Sequence, residues 1–107
     1  MKEIETLAKA KVAGEAAALA IWERDEKQDR GSCGGAMLEL DARSRLYKAI
    51  KASNIVKLMD GFVILSAPEG VRSQNMDIPE AQYRAFKKTI EEAGFGKAIK
   101  RFWTYVD

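Results

Sequence analysis

The sequence predicts an α+β fold in which an N-terminal helix precedes a four-stranded, mainly antiparallel sheet. Three observations support this prediction. A segment rich in alanine, leucine, glutamate and lysine opens the chain, as is typical of a helix. Asp60 and Gly61 separate two runs of apolar and β-branched residues, which is a strong hairpin signal because both turn residues tolerate positive φ. Further segments with strand and helix periodicity lie on either side of that hairpin.

The first predicted element is a helix over residues 2–26. Its apolar side chains recur at helical spacing and form one stripe. Gly14 interrupts this helix and weakens it by about 1 kcal/mol relative to alanine. Residues 27–35 are polar and rich in glycine, and they predict a hinge between the helix and the rest of the chain.

A strand, a helix and the hairpin follow. Residues 36–40 alternate with period two and predict the first strand. Asp41 is the predicted N-cap of a helix over residues 42–53, because its carboxylate can accept a free backbone N–H there. Residues 54–67 contain the hairpin, whose two-residue turn places Met59 opposite Phe62 and so determines the register of its two strands.

The last predicted elements are a helix and a strand. After a polar loop over residues 66–76, Asp77 and Glu80 form a pattern like a capping box at the start of a helix. Gly94 predicts the end of that helix, since glycine favours the left-handed conformation in which many helices terminate. Residues 97–106 are rich in aromatic and β-branched residues and predict the final strand.

The order of the last six elements, βαββαβ, matches the split βαβ, or ferredoxin-like, plan, which we prefer. Strand order cannot be read from one sequence, so a different α+β sheet is the alternative. We expect the 107 residues to form a single domain. Residues 1–26 are then its N-terminal helix, residues 27–35 its hinge and residues 36–107 its α+β core.

Strand alternation predicts that both faces of the sheet are largely apolar. One face is the expected floor for the two later helices. The other face carries Met37, Lys57, Met59, Phe62, Ile64, Arg101, Trp103 and Tyr105. A bare apolar patch of that size is unusual on a monomer. Three interpretations are open: the N-terminal helix covers this face, a protein partner or a second copy binds it, or nucleic-acid bases stack on its rings.

Composition excludes several classes of function. The chain has no histidine and one cysteine, which excludes histidine-based catalysis and the usual zinc frameworks. We therefore expect a protein without enzymatic activity, cofactor or metal. The net charge of +2 is too small to indicate a committed DNA-binding protein. No apolar run approaches the roughly 20 residues of a membrane span, and one cysteine allows no internal disulfide, so we expect a cytoplasmic protein without membrane contact.

Three polar segments are candidate sites. Arg72, Gln74 and Asn75 lie in the loop before the last helix and are predicted to contact a partner, as loops on a rigid sheet often do. The glycines around Cys33 resemble a phosphate loop, but they follow a helix and precede a strand, which is the reverse of the required order. Residues 41–44 could present free N–H groups to an anion, although the carboxylate within this segment would repel it.

Three short segments resemble small, largely uncharacterised proteins carried by phages and prophages. They are residues 29–36 (Asp-Arg-Gly-Ser-Cys-Gly-Gly-Ala), residues 40–46 (Leu-Asp-Ala-Arg-Ser-Arg-Leu) and residues 72–76 (Arg-Ser-Gln-Asn-Met). The resemblance covers roughly residues 29–95 and brings no catalytic residues. It implies a mobile-element protein in a bacterial cytoplasm, where proteins of this size often bind a host protein or assist on nucleic acid.

The sequence therefore predicts a small binding protein that acts through a protein partner or through self-association as an oligomer. A nucleic-acid-binding accessory protein that uses the basic, aromatic sheet face is the alternative. The predicted partner-binding residues are Lys57, Phe62, Arg101, Trp103 and Tyr105 on the sheet and Arg72, Gln74 and Asn75 in the loop.

Overall fold

Four strands and three helices form the part of the chain that the computed structural model describes, which comprises residues 2–25, 33–72 and 75–106. In chain order they are α1 (Lys2–Arg24), β1 (Gly34–Leu40), α2 (Arg45–Ser53), β2 (Lys57–Met59), β3 (Phe62–Ile64), α3 (Asp77–Glu92) and β4 (Ile99–Val106). One turn of 3-10 helix, Gly96–Ala98, precedes β4. The predicted succession of an N-terminal helix and a βαββαβ unit is confirmed.

The sheet has the strand order β2-β3-β1-β4, and all neighbouring strands are antiparallel. This order fits the ferredoxin-like plan, with the first and third strands in the centre and the other two at the edges. The pairing of β1 with β4 is long and runs from Gly34 opposite Val106 to Leu40 opposite Ile99, with an irregularity after Glu39. The predicted α+β class and sheet are therefore confirmed.

The hairpin of β2 and β3 turns at Asp60 and Gly61, as predicted. Both residues have positive φ, 52° at Asp60 and 88° at Gly61, which matches the twist of the flanking strands. Met59 pairs with Phe62 directly beside the turn, so the predicted register is also confirmed. Because this register is fixed, Met59 and Phe62 share one face of the sheet and Val63 points to the other.

The three helices of the described residues lie on one side of the sheet, and we call the face beneath them the closed face. Leu38 and Leu40 of β1 and Val63 of β3 point into this layer and are buried. The helices contribute Leu7 and Ala10 from α1, Leu46, Ala49 and Ile50 from α2, and Tyr83, Phe86 and Ile90 from α3 to the same cluster. Alternate strand residues thus form the floor of a single core.

The first helix lies on the closed side, where α1 packs against α3 and α2. Leu7 and Ala10 are buried in the common core. A Cβ at Gly14 would lie 2.9 Å from the backbone oxygen of Gln82 in α3, so the glycine that weakens α1 is what permits its close packing. The interpretation in which the N-terminal helix covers the second face of the sheet is therefore wrong.

The start of α2 differs from the prediction. This helix begins at Arg45, and the hydroxyl of its N-cap residue, Ser44, accepts the N–H of Tyr47 at 3.1 Å. Asp41 instead closes the preceding turn, where its carboxylate accepts the N–H of Arg43 at 2.9 Å. The prediction of Asp41 as N-cap is wrong because a serine three residues later fulfils the same chemical requirement closer to the helix.

The start of α3 also differs, whereas its end is as predicted. Asp77 is the first residue of the helix, and its N–H donates to the side-chain oxygen of Asn75 at 3.0 Å. At the other end Gly94 has a φ of 92°. The N–H of Phe95 then donates to the oxygen of Ile90 at 3.0 Å, which is a Schellman termination.

The predicted hinge over residues 27–35 lies largely outside the described residues, which resume at Cys33. Cys33 forms an isolated antiparallel bridge with Asn75. Gly34 and Gly35 already belong to β1, so this strand begins earlier than predicted. The final strand begins later, at Ile99, because the 3-10 turn precedes it.

Candidate functional site

The second face of the sheet, which we call the open face, has no helix packed on it within the described part of the chain. Its residues come from all four strands and are Met37, Glu39, Lys57, Met59, Phe62, Ile64, Arg101, Trp103 and Tyr105. Met59 is 65% exposed, Tyr105 41% and Trp103 39%. Large apolar side chains that are exposed together on one face typically indicate an interaction site.

A row of four residues crosses the open face from one edge of the sheet to the other. Met59 pairs with Phe62, Phe62 with Glu39, and Glu39 with Arg101. Trp103 lies beside this row, with its ring edge-on to Phe62 at a centroid distance of 5.8 Å and an interplanar angle of 87°. This edge-to-face contact is a favourable geometry for aromatic pairs, and it joins side chains of β3 and β4 across β1.

Glu39 lies in the middle of this row and binds the cations of β4. The Nε atom of Arg101 donates to Oε1 of Glu39 at 2.6 Å, and Nζ of Lys100 lies 3.8 Å from Oε2. The guanidinium carbon of Arg101 also lies 5.3 Å from the centroid of the Trp103 ring. The carboxylate therefore partly cancels the positive charge of the face and holds Arg101 in place beside the indole.

Tyr105 occupies space on the open face that a glycine provides. Gly35 lies opposite Tyr105 in the pairing of β1 with β4. A Cβ at Gly35 would lie 2.7 Å from the tyrosine hydroxyl oxygen and 3.0 Å from the ring carbon that bears it. Any side chain at this position would push Tyr105 away from the sheet.

The structure brings most of the predicted sheet residues together. Phe62, Arg101, Trp103 and Tyr105 form one group, in which three of the four side chains are in direct contact. Lys57 shares the face but lies on the outer strand β2, where it is exposed. That these residues contact a partner stays a prediction.

Asn75, the last residue of the predicted loop site, is buried and takes part in hydrogen bonds that stabilise the fold. Asn75 is 2% exposed, and its amide nitrogen donates to Asp25 at 2.8 Å while its oxygen accepts from Asp77. Arg24 donates to Asp25 at 3.1 Å and to Asp77 at 3.0 Å. These four residues link the end of α1 to the start of α3, so Asn75 has a structural role and offers little surface to a partner.

The other candidate segments gain no binding geometry from the structure. Arg72 is exposed, while Gln74 and most of the glycine loop before Cys33 lie outside the described residues. At the turn before α2, the N–H of Arg43 lowers the pKa of Asp41 by hydrogen bonding to its carboxylate. An anion at that turn would therefore meet a carboxylate that is already in place.

Metal-ion clusters and membrane-spanning helices are both absent from the described ranges. No three His, Cys, Asp or Glu residues there are grouped closely enough to hold a metal ion. No helix in the described part of the chain is long and apolar enough to cross a bilayer.

Sequence reasoning missed the importance of Glu39 and Gly35. Glu39 lies two residues after Met37 in β1, so both side chains are on the open face. Only strand order reveals that Arg101 is the neighbour of Glu39. Gly35 was part of a predicted hinge, and its use as space for Tyr105 follows from the register of β1 and β4. Both roles depend on contacts between residues that are far apart in the sequence.

Comparison with known proteins gives no match. No family model, curated protein or solved structure matches the chain. The geometry and chemistry of the open face are therefore the basis on which a function can be proposed.

Proposed function

We propose that this protein is a non-enzymatic binding module that acts by docking a protein partner on the open face. One observation carries the proposal. The described helices all lie on the closed side, while Met59, Trp103 and Tyr105 are exposed together on the opposite face. Exposing large apolar side chains to water is unfavourable, and a partner that covers them recovers that free energy.

The residue types on the open face are those that dominate protein interfaces. Aromatic residues, methionine and arginine are enriched in interface cores, and tryptophan, tyrosine and arginine contribute most of the binding energy when they are buried. Trp103, Tyr105 and Arg101 supply all three. They are the residues that we expect to contribute most to binding.

The open face is also held in a defined shape before a partner arrives. Glu39 fixes Arg101, Arg101 lies against Trp103, and the Trp103 ring contacts Phe62. Tyr105 has its own space above Gly35. Side chains that are already ordered lose less conformational entropy on binding, which favours a partner that docks on a rigid surface.

A nucleic-acid-binding accessory protein is the second candidate, and one observation favours it. Arg101 and exposed aromatic rings lie side by side on the open face, which is how single-stranded nucleic acid is commonly bound. Glu39 argues against it, because its carboxylate lies beside Arg101, where it repels phosphate and partly neutralises the positive charge of the arginine. The protein partner is therefore the better supported proposal.

The cellular setting is also part of the proposal. The resemblance of residues 29–36, 40–46 and 72–76 to phage and prophage proteins supports a mobile-element protein that acts in a bacterial cytoplasm. A protein of the bacterial host is then the expected partner. We expect the open face to bind a surface of the partner that is apolar and of low net charge.

Matched lysine substitutions test the proposal. Met59 on the open face and Val12 on α1 are both 65% exposed, so Met59→Lys and Val12→Lys place the same charge at equally accessible apolar positions. We expect tagged wild-type protein and Val12→Lys to recover the same partner from native cells, and Met59→Lys to lose at least about 90% of it, since a buried lysine without a counter-charge weakens an interface by more than 1.4 kcal/mol.

The outcome that contradicts the proposal is equal recovery by both variants while each remains folded by circular dichroism. A mobility-shift assay at low salt separates the second candidate. Nucleic-acid binding that falls steeply with salt and is lost in Arg101→Gln would favour that candidate instead.

A further inference from the structure

Strand β4 is a long edge strand, and the other edge of the sheet is short. β4 spans Ile99–Val106, while β2 spans only Lys57–Met59. β4 ends the strand order, so within the described residues its outer side has no paired strand. Its second half, Phe102–Val106, contains no charged residue, proline or glycine. Natural edge strands usually carry such residues to prevent pairing with another chain.

The hydrogen bonds of β1 show which backbone groups of β4 face outward. The N–H of Leu40 donates to Gly61 on the β3 side, and the N–H of Asp41 donates to Ala98 on the β4 side. Successive residues of a strand direct their backbone groups to opposite sides, so the odd-numbered residues of β1 bond to β4. Their partners in β4 are Arg101, Trp103 and Tyr105. The N–H and C=O groups of the intervening residues, Phe102, Thr104 and Val106, therefore point away from the sheet.

We propose that β4 pairs with β4 of a second copy of this chain, antiparallel and with Thr104 on the two-fold axis, to form a continuous eight-stranded sheet. In this register Thr104 faces its own counterpart and Phe102 faces Val106, so all three outward-facing residues form hydrogen-bonded pairs. Trp103 faces Tyr105 of the second copy on the open side. With a two-fold axis, each copy contributes the same strand to the interface.

Side-chain chemistry favours this register and this occupant. Val106 is 63% exposed on the closed side, and Phe102 of the second copy would cover it. Trp103 and Tyr105 would form two aromatic cross-strand pairs, which stabilise antiparallel sheets. Lys100 and Arg101 lie together at one end of the paired segment, and the same two cations of the second copy lie at the other end.

Like-charge repulsion supports the same register. Sliding the register toward the start of β4 brings the two Arg101 side chains closer together, and like charges opposite one another destabilise a sheet. The proposal depends on the edge of the sheet and not on a partner at the open face.

Mass measurement tests the proposal with one substitution and a matched control. We expect the wild-type protein to sediment as a dimer of twice 11.9 kDa at micromolar concentration. Thr104→Pro removes an outward N–H and leaves the hydrogen bonds between β4 and β1 intact. Proline is tolerated in a sheet at such edge positions. The substitution should raise the dimer Kd by at least about tenfold, while Thr104→Val keeps the N–H and the dimer. A wild-type monomer at all concentrations would overturn the proposal.

Cysteine cross-linking tests the register and does not depend on the stability of the proline variant. In a Cys33→Ser background, Thr104→Cys places two thiols on the two-fold axis, with Cα atoms about 5.5 Å apart, which is within disulfide range. Lys100→Cys places them about 26 Å apart in the same register. We expect covalent dimer from Thr104→Cys under mild oxidation and none from Lys100→Cys. Equal cross-linking of the two, or none at position 104, contradicts the proposal.

Discussion

The two faces of the sheet are formed by the same strands, yet one is buried beneath helices and the other is exposed in the described part of the chain. The closed face presents leucine, alanine and valine, and Leu38, Leu40 and Val63 are almost completely buried beneath the helices. The open face presents methionine and aromatic rings around an ion pair, and Met59 stays largely exposed. Both faces are apolar enough to need a cover, but only the closed face has one in the described part of the chain. The difference separates residues that hold the fold together from residues that are free to bind.

The position of α1 produces this asymmetry. Gly14 lets the middle of α1 approach Gln82 of α3 closely. At the end of the helix, Arg24 donates to Asp77 and Asp25 accepts from Asn75. A helix held at two places on the closed side cannot also cover the opposite face. Substitutions on each side of the sheet therefore measure how far the two faces differ.

The largest effect is expected from the core of the closed face. Phe86 is fully buried in α3, and Phe86→Ala should lower the free energy of unfolding by about 3–5 kcal/mol through lost burial and the cavity that remains. Met59→Ala on the open face should change it by less than about 0.5 kcal/mol. Urea unfolding of both variants measures the difference. A loss at Met59 as large as that at Phe86 would show that the open face is packed within the monomer.

The contact between α1 and α3 is the next target. Gly14→Ala should destabilise the protein by about 1–3 kcal/mol, although alanine is the better helix former, because the new methyl group would overlap the backbone oxygen of Gln82. Ala16→Gly, at an exposed position of the same helix, measures helix propensity alone and should cost about 1 kcal/mol. A stabilising Gly14→Ala, observed in thermal unfolding, would show that the two helices are not closely packed.

The polar cluster at the end of α1 should have a smaller effect. Asn75→Ala removes the acceptor for the N–H of Asp77 and the donor to Asp25, at a cost of about 1–2 kcal/mol in the free energy of unfolding. Asn75→Asp keeps the acceptor but places a second carboxylate beside Asp25, so it should not restore stability. Full stability of Asn75→Ala in chemical denaturation would contradict the structural role of this residue.

The ion pair of the open face should matter least for stability. Glu39→Gln removes the charge that holds Arg101, whose side chain is 59% exposed, while that of Glu39 is only 12% exposed. An ion pair with one solvent-exposed partner should contribute about 1 kcal/mol, and the change should shrink at high salt. Unfolding at low and high ionic strength checks both statements. A loss well above 1 kcal/mol that salt does not reduce would place Glu39 among the residues that hold the fold together.

The sequence predicted the features that depend on local chemistry. Positive φ at Asp60 and Gly61 and the termination at Gly94 follow from the residues at those positions, and both were confirmed. The predictions of Asp41 and Asp77 as the caps of α2 and α3 were wrong. The sequence offers several polar residues near each helix start and does not reveal which one the backbone reaches.

Features that depend on packing between distant segments were not accessible from the sequence. The apolar stripe of α1 fits either face of the sheet, and the contacts that hold it on the closed side are the close approach at Gly14 and the polar contacts of Arg24 and Asp25. The sequence predicted that Phe62, Trp103 and Tyr105 share one face, because strand alternation alone determines which face a side chain occupies. The charge relation between Glu39 and Arg101 needed the order of the strands.

The most direct test of the account is site-specific photo-cross-linking in native cells. A photoreactive phenylalanine derivative replaces Met59 on the open face in one variant and Val12 on α1 in the other, at positions of equal exposure. The account predicts a discrete cross-linked protein from position 59 that is lost when Trp103→Ala is added, and none from position 12. The same adducts from both positions, or none from position 59, would contradict it.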